Sequence, residues 1–153
     1  MNRSTAIIAL IAAAACAGEK APAVDTTKAA PAPAPAPPPP SAMVMISSPA
    51  EGDSTGHDVT VVLSQHGVKI EKANSTKAEG IGHYHLFLDT IPTLEGQVIP
   101  PATKNIVHIG TGDSTYTFKG LTPGAHEIIA VIGYGDHSAM PQQRDTVKFF
   151  VKK

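Results

Sequence analysis

Of the 153 residues, one is cysteine and none is tryptophan. A lone thiol at Cys16 forms no intramolecular disulfide, so the fold must rest on a packed core rather than on cross-links. Aromatic residues make up only 5%, which leaves aliphatic side chains to fill that core. A positive excess is missing too: twelve Lys and Arg stand against thirteen Asp and Glu, a net charge of −1 with the histidines neutral. Without a basic patch to neutralise phosphates, nucleic-acid binding is not expected. No nucleophile elbow, phosphate loop or paired catalytic carboxylates can be found, and a non-enzymatic role is expected. The apolar run from Ala6 to Ala15 is too short to cross a bilayer. Its ten residues, at about 1.5 Å each, span only half of a hydrocarbon core about 30 Å thick.

That run, preceded by Arg3 and followed by Cys16, has the layout of a signal peptide over residues 1–15. Small residues directly before a cysteine resemble the bacterial lipoprotein cleavage signal, in which the cysteine becomes the acylated first residue. Ala13 stands where leucine is usual. The expectation is an exported lipoprotein of the periplasm or cell surface, held to its membrane through Cys16, with an envelope protein as a further partner. Removing residues 1–15 takes Arg3 away and leaves eleven cations against thirteen acids. The rest of residues 16–42 is rich in Ala and Pro, including APAPAPAPPPP at 30–40. Such a composition builds no core and favours extended polyproline II, a tether.

From Met43 to Lys153 short apolar runs alternate with Gly, Pro, Asp and Asn. This pattern predicts an all-β domain, an immunoglobulin-like antiparallel sandwich of seven or eight strands. Strands are expected at 43–47, 58–63, 68–71, 83–89, 106–109, 115–119, 126–134 and 146–151. In the 115–119 strand Tyr116 and Phe118 are expected to face inward, and Pro123-Gly124 supplies the two central residues of a type II turn. Residues 90–105 and 135–145 are read as the two long loops, where binding is expected.

The densest chemistry lies in GIGHYHLFLD at 80–89. In a strand, alternate side chains share a face, so His83, His85, Phe87 and Asp89 point one way and Tyr84, Leu86 and Leu88 the other. His83 and His85 then stand about 6.6 Å apart at their Cα atoms, close enough for both rings to reach one metal ion. Seven histidines are present in all. His108, beside Ile106 in a strand, and His137, in the last loop next to Asp136, complete a ligand set suited to Zn²⁺ or Cu²⁺. Asp89, Asp136 and His126 are expected as groups behind those ligands. Met43, Met45 and Met140 are thioethers that suit Cu(I), though gap-filling at the core edge is the simpler role.

The Gly80–Asp89 motif, with Ile99-Pro100, His108-Ile-Gly110, LTPGAH at 121–126 and Gly135-Asp136-His137, resembles an exported bacterial family of domains of unknown function, family 4399. That family is marked by a Gly-His-x-His strand, and the resemblance covers about residues 80–153. Its later strand often reads His-x-His-Phe-Gly, where this chain has Ile106-Val-His108-Ile-Gly110. The resemblance implies a secreted β-domain and no established activity. A second resemblance, His83-x-His85 followed by Asp89 and Gly96, is to the first cupin motif and would imply a metal-holding jelly roll. Lys77 stands where that motif has its leading glycine. The expectation is therefore a tethered, non-catalytic binding module with a metal held by strand histidines. The alternatives are a purely structural or protein-contact sandwich and a cupin-like metalloenzyme.

Overall fold

The structure, a computed structural model, describes residues 43–153. The expected signal segment, the acylation point at Cys16 and the Ala/Pro-rich tether lie outside the described residues. Regular structure in the described part is all β: β1 (Met43–Ser48), β2 (Ser54–Thr55), β3 (Val59–His66), β4 (Lys69–Ile70), β5 (Ile81–Leu88), β6 (Ile106–Ile109), β7 (Thr115–Phe118), β8 (Gly124–Gly133) and β9 (Ala139–Val151). Strands β1, β3 and β7 form one sheet in that order. A second sheet runs β2-β9-β8-β5-β4, with β6 also paired to β5.

The two sheets pack face to face through their alternating apolar positions. Val44 and Ile46, Val59, Val61 and Leu63 of one sheet meet Tyr84, Leu86, Ile128, Ile132 and Val151 of the other in one continuous core. Beyond side-chain packing, the Ile46 amide donates to the Asp145 carboxylate at 2.7 Å, tying β1 to β9. The domain is an all-β sandwich.

β5 is central, and its side chains are buried on both faces. Tyr84, Leu86 and Leu88 face the main core. Phe87 faces outward, yet it is covered, because it belongs to a second, smaller cluster with Ile99, Ile129, Val131 and Ala139. The cover comes from the segment between β5 and β6. It is stitched to the β8–β9 turn by Ile99 N–H to His137 C=O at 2.8 Å, Ala139 N–H to Gln97 C=O at 2.9 Å and Gly96 N–H to Ala139 C=O at 2.8 Å. The outer face of β5 is thus largely covered by a loop.

Three expectations need correction. Residues 135–145 are not a long loop: β9 already begins at Ala139, and its pairing with β8 shifts register between Val131 and Gly133. Pro141 and Gln142, the latter at φ 57°, read as loop residues but sit in this irregular stretch. Tyr116 is 38% exposed although Phe118 is buried, because β7 is the last strand of its sheet and Tyr116 overhangs the core. Gly124 has φ 139°, well away from the about 80° of a type II turn. The Pro-Gly pair redirects the chain, but Gly124 is already the first residue of β8.

Candidate metal centre

Strand pairing brings the histidines together. β6 lies antiparallel to β5 with His108 directly opposite His85, and β8 lies on the other side with Val131 opposite His85 and Gly133 opposite His83. Paired residues in antiparallel strands share a face, so His83, His85 and His108 project into the compartment under the loop. The β8–β9 turn adds His137. Its φ of 66° is unusual for a residue with a side chain. The turn is secured by His137 N–H to Tyr134 C=O at 2.8 Å and Tyr134 N–H to Ser138 C=O at 2.9 Å.

One potential donor nitrogen from each of these four imidazoles lies within 4.8 Å of the others. The six distances between ring centres are nearly equal: His83 is 4.7 Å from His85, 4.7 Å from His108 and 4.9 Å from His137. The others are 5.0 Å for His85–His108, 5.6 Å for His85–His137 and 4.8 Å for His108–His137. Four points with six similar separations form a tetrahedron, whereas a square would have two diagonals about 1.4 times its sides. With Zn–N about 2.0–2.1 Å and ring centres about 3.2 Å from the ion, a regular tetrahedron puts them about 5.2 Å apart. The observed spacing brackets that value.

The electrostatics favour neutral rings. His83 and His85 are 0% and 1% exposed. Burial, with His108 and His137 nearby, lowers the pKa of His83 to about 4. Burial followed by the same neighbours and His83 lowers that of His85 to about 2. Burial and then His137 also lower the pKa of His108. Neutral imidazoles bind a cation without first giving up a proton. Their hydrogen bonding is incomplete. The Nε2 atoms of His83 and His85 are 2.9 Å apart, but the Nδ1 atom of each is buried without a partner. An unsatisfied buried polar group costs about 1–3 kcal/mol, so two in adjacent rings call for an explanation.

Glycine clears the space. On its β8 side His83 faces Gly133, and Gly110 directly follows β6, two residues past His108. A Cβ on Gly110 would lie 2.5 Å from His108 Nε2, and one on Gly133 would lie 3.1 Å from His85 Nε2. Gly110→Ala is therefore expected to push the His108 ring aside and lower metal affinity about tenfold or more, the scale on which misplacing supporting groups acts. Calorimetric titration checks this, alongside a urea melt showing that the fold is kept. The sequence shows these glycines; only the register shows what they accommodate.

The other expected groups sit elsewhere or act differently. Asp89 follows the end of β5 at φ 50°, which swings its carboxylate away from the His83/His85 row. Oδ1 accepts from Glu127 N–H at 2.9 Å and Oδ2 from His126 Nδ1 at 2.7 Å. His126 Nε2 donates to the Thr122 carbonyl at 2.8 Å. Asp89 and His126 thus pair with each other and do not back the ligands. Asp136 lies beside the cluster, yet its Oδ1 accepts from Ser138 N–H at 3.0 Å and Ser138 Oγ–H at 2.6 Å. It shapes the turn that carries His137 instead of touching a ring. Met140 packs in the main core, while Met43 and Met45 are exposed, so no thioether joins the imidazoles.

Both nitrogens of His126 face oxygen acceptors, an arrangement that favours its imidazolium form. Burial lowers its pKa, but the bonds to Thr122 and Asp89 outweigh that, and the net shift is upward from 6.5. NMR titration is expected to show a pKa above 6.5 that drops in Asp89→Asn. The stability His126 contributes is full below about 6.5 and is lost as pH rises through its folded pKa.

Fold and site together define a class: a β-sandwich with a tetrahedral cluster of imidazoles under one loop. The chain belongs to the family described as "Domain of unknown function (DUF4399)", whose model matches residues 59–152. No curated protein matches the chain. A similar solved structure is titled "Structures of Clostridium thermocellum CbhA fibronectin(III)-like modules". It is 16% identical, with a TM-score of 0.44, over 72% of this chain and 96% of that one.

Proposed function

We propose that this domain is a non-catalytic binding module for one transition-metal ion, held by His83, His85, His108 and His137. The observation that carries this reading is the near-regular tetrahedron of ring centres, 4.7–5.6 Å on its edges. Tetrahedral placement suits Zn²⁺ and disfavours Cu²⁺, which prefers a square-planar or tetragonal array. Absence of sulfur among the donors argues against Cu(I). Four protein ligands are the mark of a structural or storage site, since catalytic zinc keeps one position for water or substrate. Asp136, the acid nearest to hand, is already engaged by Ser138. These features support binding over catalysis. The signal-like start and the cysteine that follows it support placing the module in the cell envelope, anchored through acylated Cys16.

Titration of the metal-free protein with Zn²⁺ is expected to show one ion per chain, and Co²⁺ in its place should give the intense visible absorption of a tetrahedral complex. Failure to take up either ion would remove the proposal and leave a structural sandwich.

A further inference from the structure

Alternation in β1 puts Val44 and Ile46 in the core and turns Met43 and Met45 outward, where they are 39% and 48% exposed. Met140 packs in the main core, whereas neither of these two belongs to a buried cluster. Methionine usually serves as a gap-filler. This pair fills no gap.

The register gives the two thioethers a third neighbour. β1 is an edge strand that pairs, among the described strands, with β3, and it sets Met43 opposite His66 and Met45 opposite Ser64. Paired residues of antiparallel strands share a face, so Met43, Met45 and the exposed His66 stand together on the outer side of the three-stranded sheet. The Cα atoms of a directly opposed pair such as Met43 and His66 lie about 4.5–5.5 Å apart, and those of Met43 and Met45 about 6.8 Å apart along the strand. The Met45–His66 diagonal is about 7–8 Å, still within reach of long side chains. Side chains do meet across the strands on this face, since Ser47 Oγ lies 3.1 Å from Ser64 Oγ.

The chemistry around the three is neutral. Thr60 and Thr117 bond to each other through their hydroxyls at 2.9 Å farther along the same face, and among the described residues no strand position there carries a carboxylate. Hard cations, which want oxygen ligands, find none of the needed charge. Thioethers instead select soft ions such as Cu(I), and an imidazole is compatible with them. The tetrahedral histidine cluster has no sulfur and lies on the outer face of the other sheet.

We infer that Met43, Met45 and His66 form a surface site for a soft monovalent cation of the Cu(I) class, separate from the histidine cluster. The test adds Ag⁺, a redox-inert equivalent of Cu(I), to the full chain carrying ¹³C-methyl methionine, in chloride-free buffer. The methyl signals of Met43 and Met45 and the ring signals of His66 are expected to move together with one midpoint, while the Met140 methyl stays in place. Zn²⁺ should leave the Met43 and Met45 methyls unmoved. Met45→Leu keeps the bulk and removes the sulfur, and His66→Gln removes the ring. Both positions are exposed, so the fold should tolerate either change. Each variant should weaken the Ag⁺ response of Met43 about tenfold or more, because loss of a merely supporting group already costs about 10–100-fold. Methyls that do not respond to Ag⁺ would overturn the proposal. Separate midpoints, each indifferent to the other donors, would overturn it as well by showing isolated thioethers. An equal response to Zn²⁺ would remove the preference for soft ions on which it rests. The zinc reading of the histidine cluster stands or falls independently of all these outcomes.

Discussion

Replacing His83 and His85 together with alanine is expected to lower zinc affinity by more than about 100-fold. Loss of a group that merely supports a ligand costs about 10–100-fold, and here two ligands go. The effect should also be visible as stability. At free zinc about 100 times its Kd, binding adds about 2.7 kcal/mol to the folded state, which for a domain of this size raises Tm by about 10 °C. The double variant should show no such rise. Both rings are fully buried, so their removal also perturbs packing, and a second pair of variants separates the two effects. His108→Ala and His137→Ala lie on the accessible side of the cluster. They should leave the metal-free melting point almost unchanged while each weakens zinc binding. Zinc affinity that survives in all of these variants would show that the ion, if any, binds elsewhere.

Metal-free protein is expected to lose stability steeply as pH falls from about 6.5 toward 4. In the unfolded chain each histidine takes a proton near pH 6.5. In the folded chain His83 resists protonation down to about pH 4 and His85 down to about pH 2. Between those limits the unfolded state binds the extra protons. Each ring therefore contributes a loss of about 1.4 kcal/mol per pH unit as acid is added. The stability these rings supply is present above 6.5 and is lost on acidification. His126 titrates in the other direction and softens nothing in this window, because its contribution is already full below 6.5. Urea midpoints at a series of pH values measure the slope, and replacing both buried rings with phenylalanine should flatten it. A flat profile in the parent protein would mean that His83 and His85 meet water.

Were zinc held as proposed, acid would also remove the ion through the same rings.

Much of this arrangement was legible in the residues, for identifiable reasons. Strict alternation from His83 to Leu88 told which side chains share a face, and the structure keeps that division, with Tyr84, Leu86 and Leu88 in the main core and Phe87 on the opposite side. Short apolar runs between turn residues gave away the all-β sandwich. What alternation cannot supply is register. That His108 falls opposite His85, and Gly133 opposite His83, depends on how three strands far apart in sequence slide past one another. The fate of Asp89 was hidden for a related reason: its place in the alternation held only while the chain stayed extended, and the backbone leaves the strand there at φ 50°. Pro141 concealed the start of β9, since proline seldom occurs inside a sheet except at irregular points such as this one. Two strands of two residues each, β2 and β4, have too few positions to show a period, and β2 was missed altogether.

The four imidazoles come from β5, β6 and the turn before β9, a span of the chain that closes only when the sheet is assembled. An unfolded polypeptide offers a cation little more than the neighbouring pair at 83 and 85. On the proposed reading, uptake of an ion would therefore wait until the sheet is assembled and would follow folding.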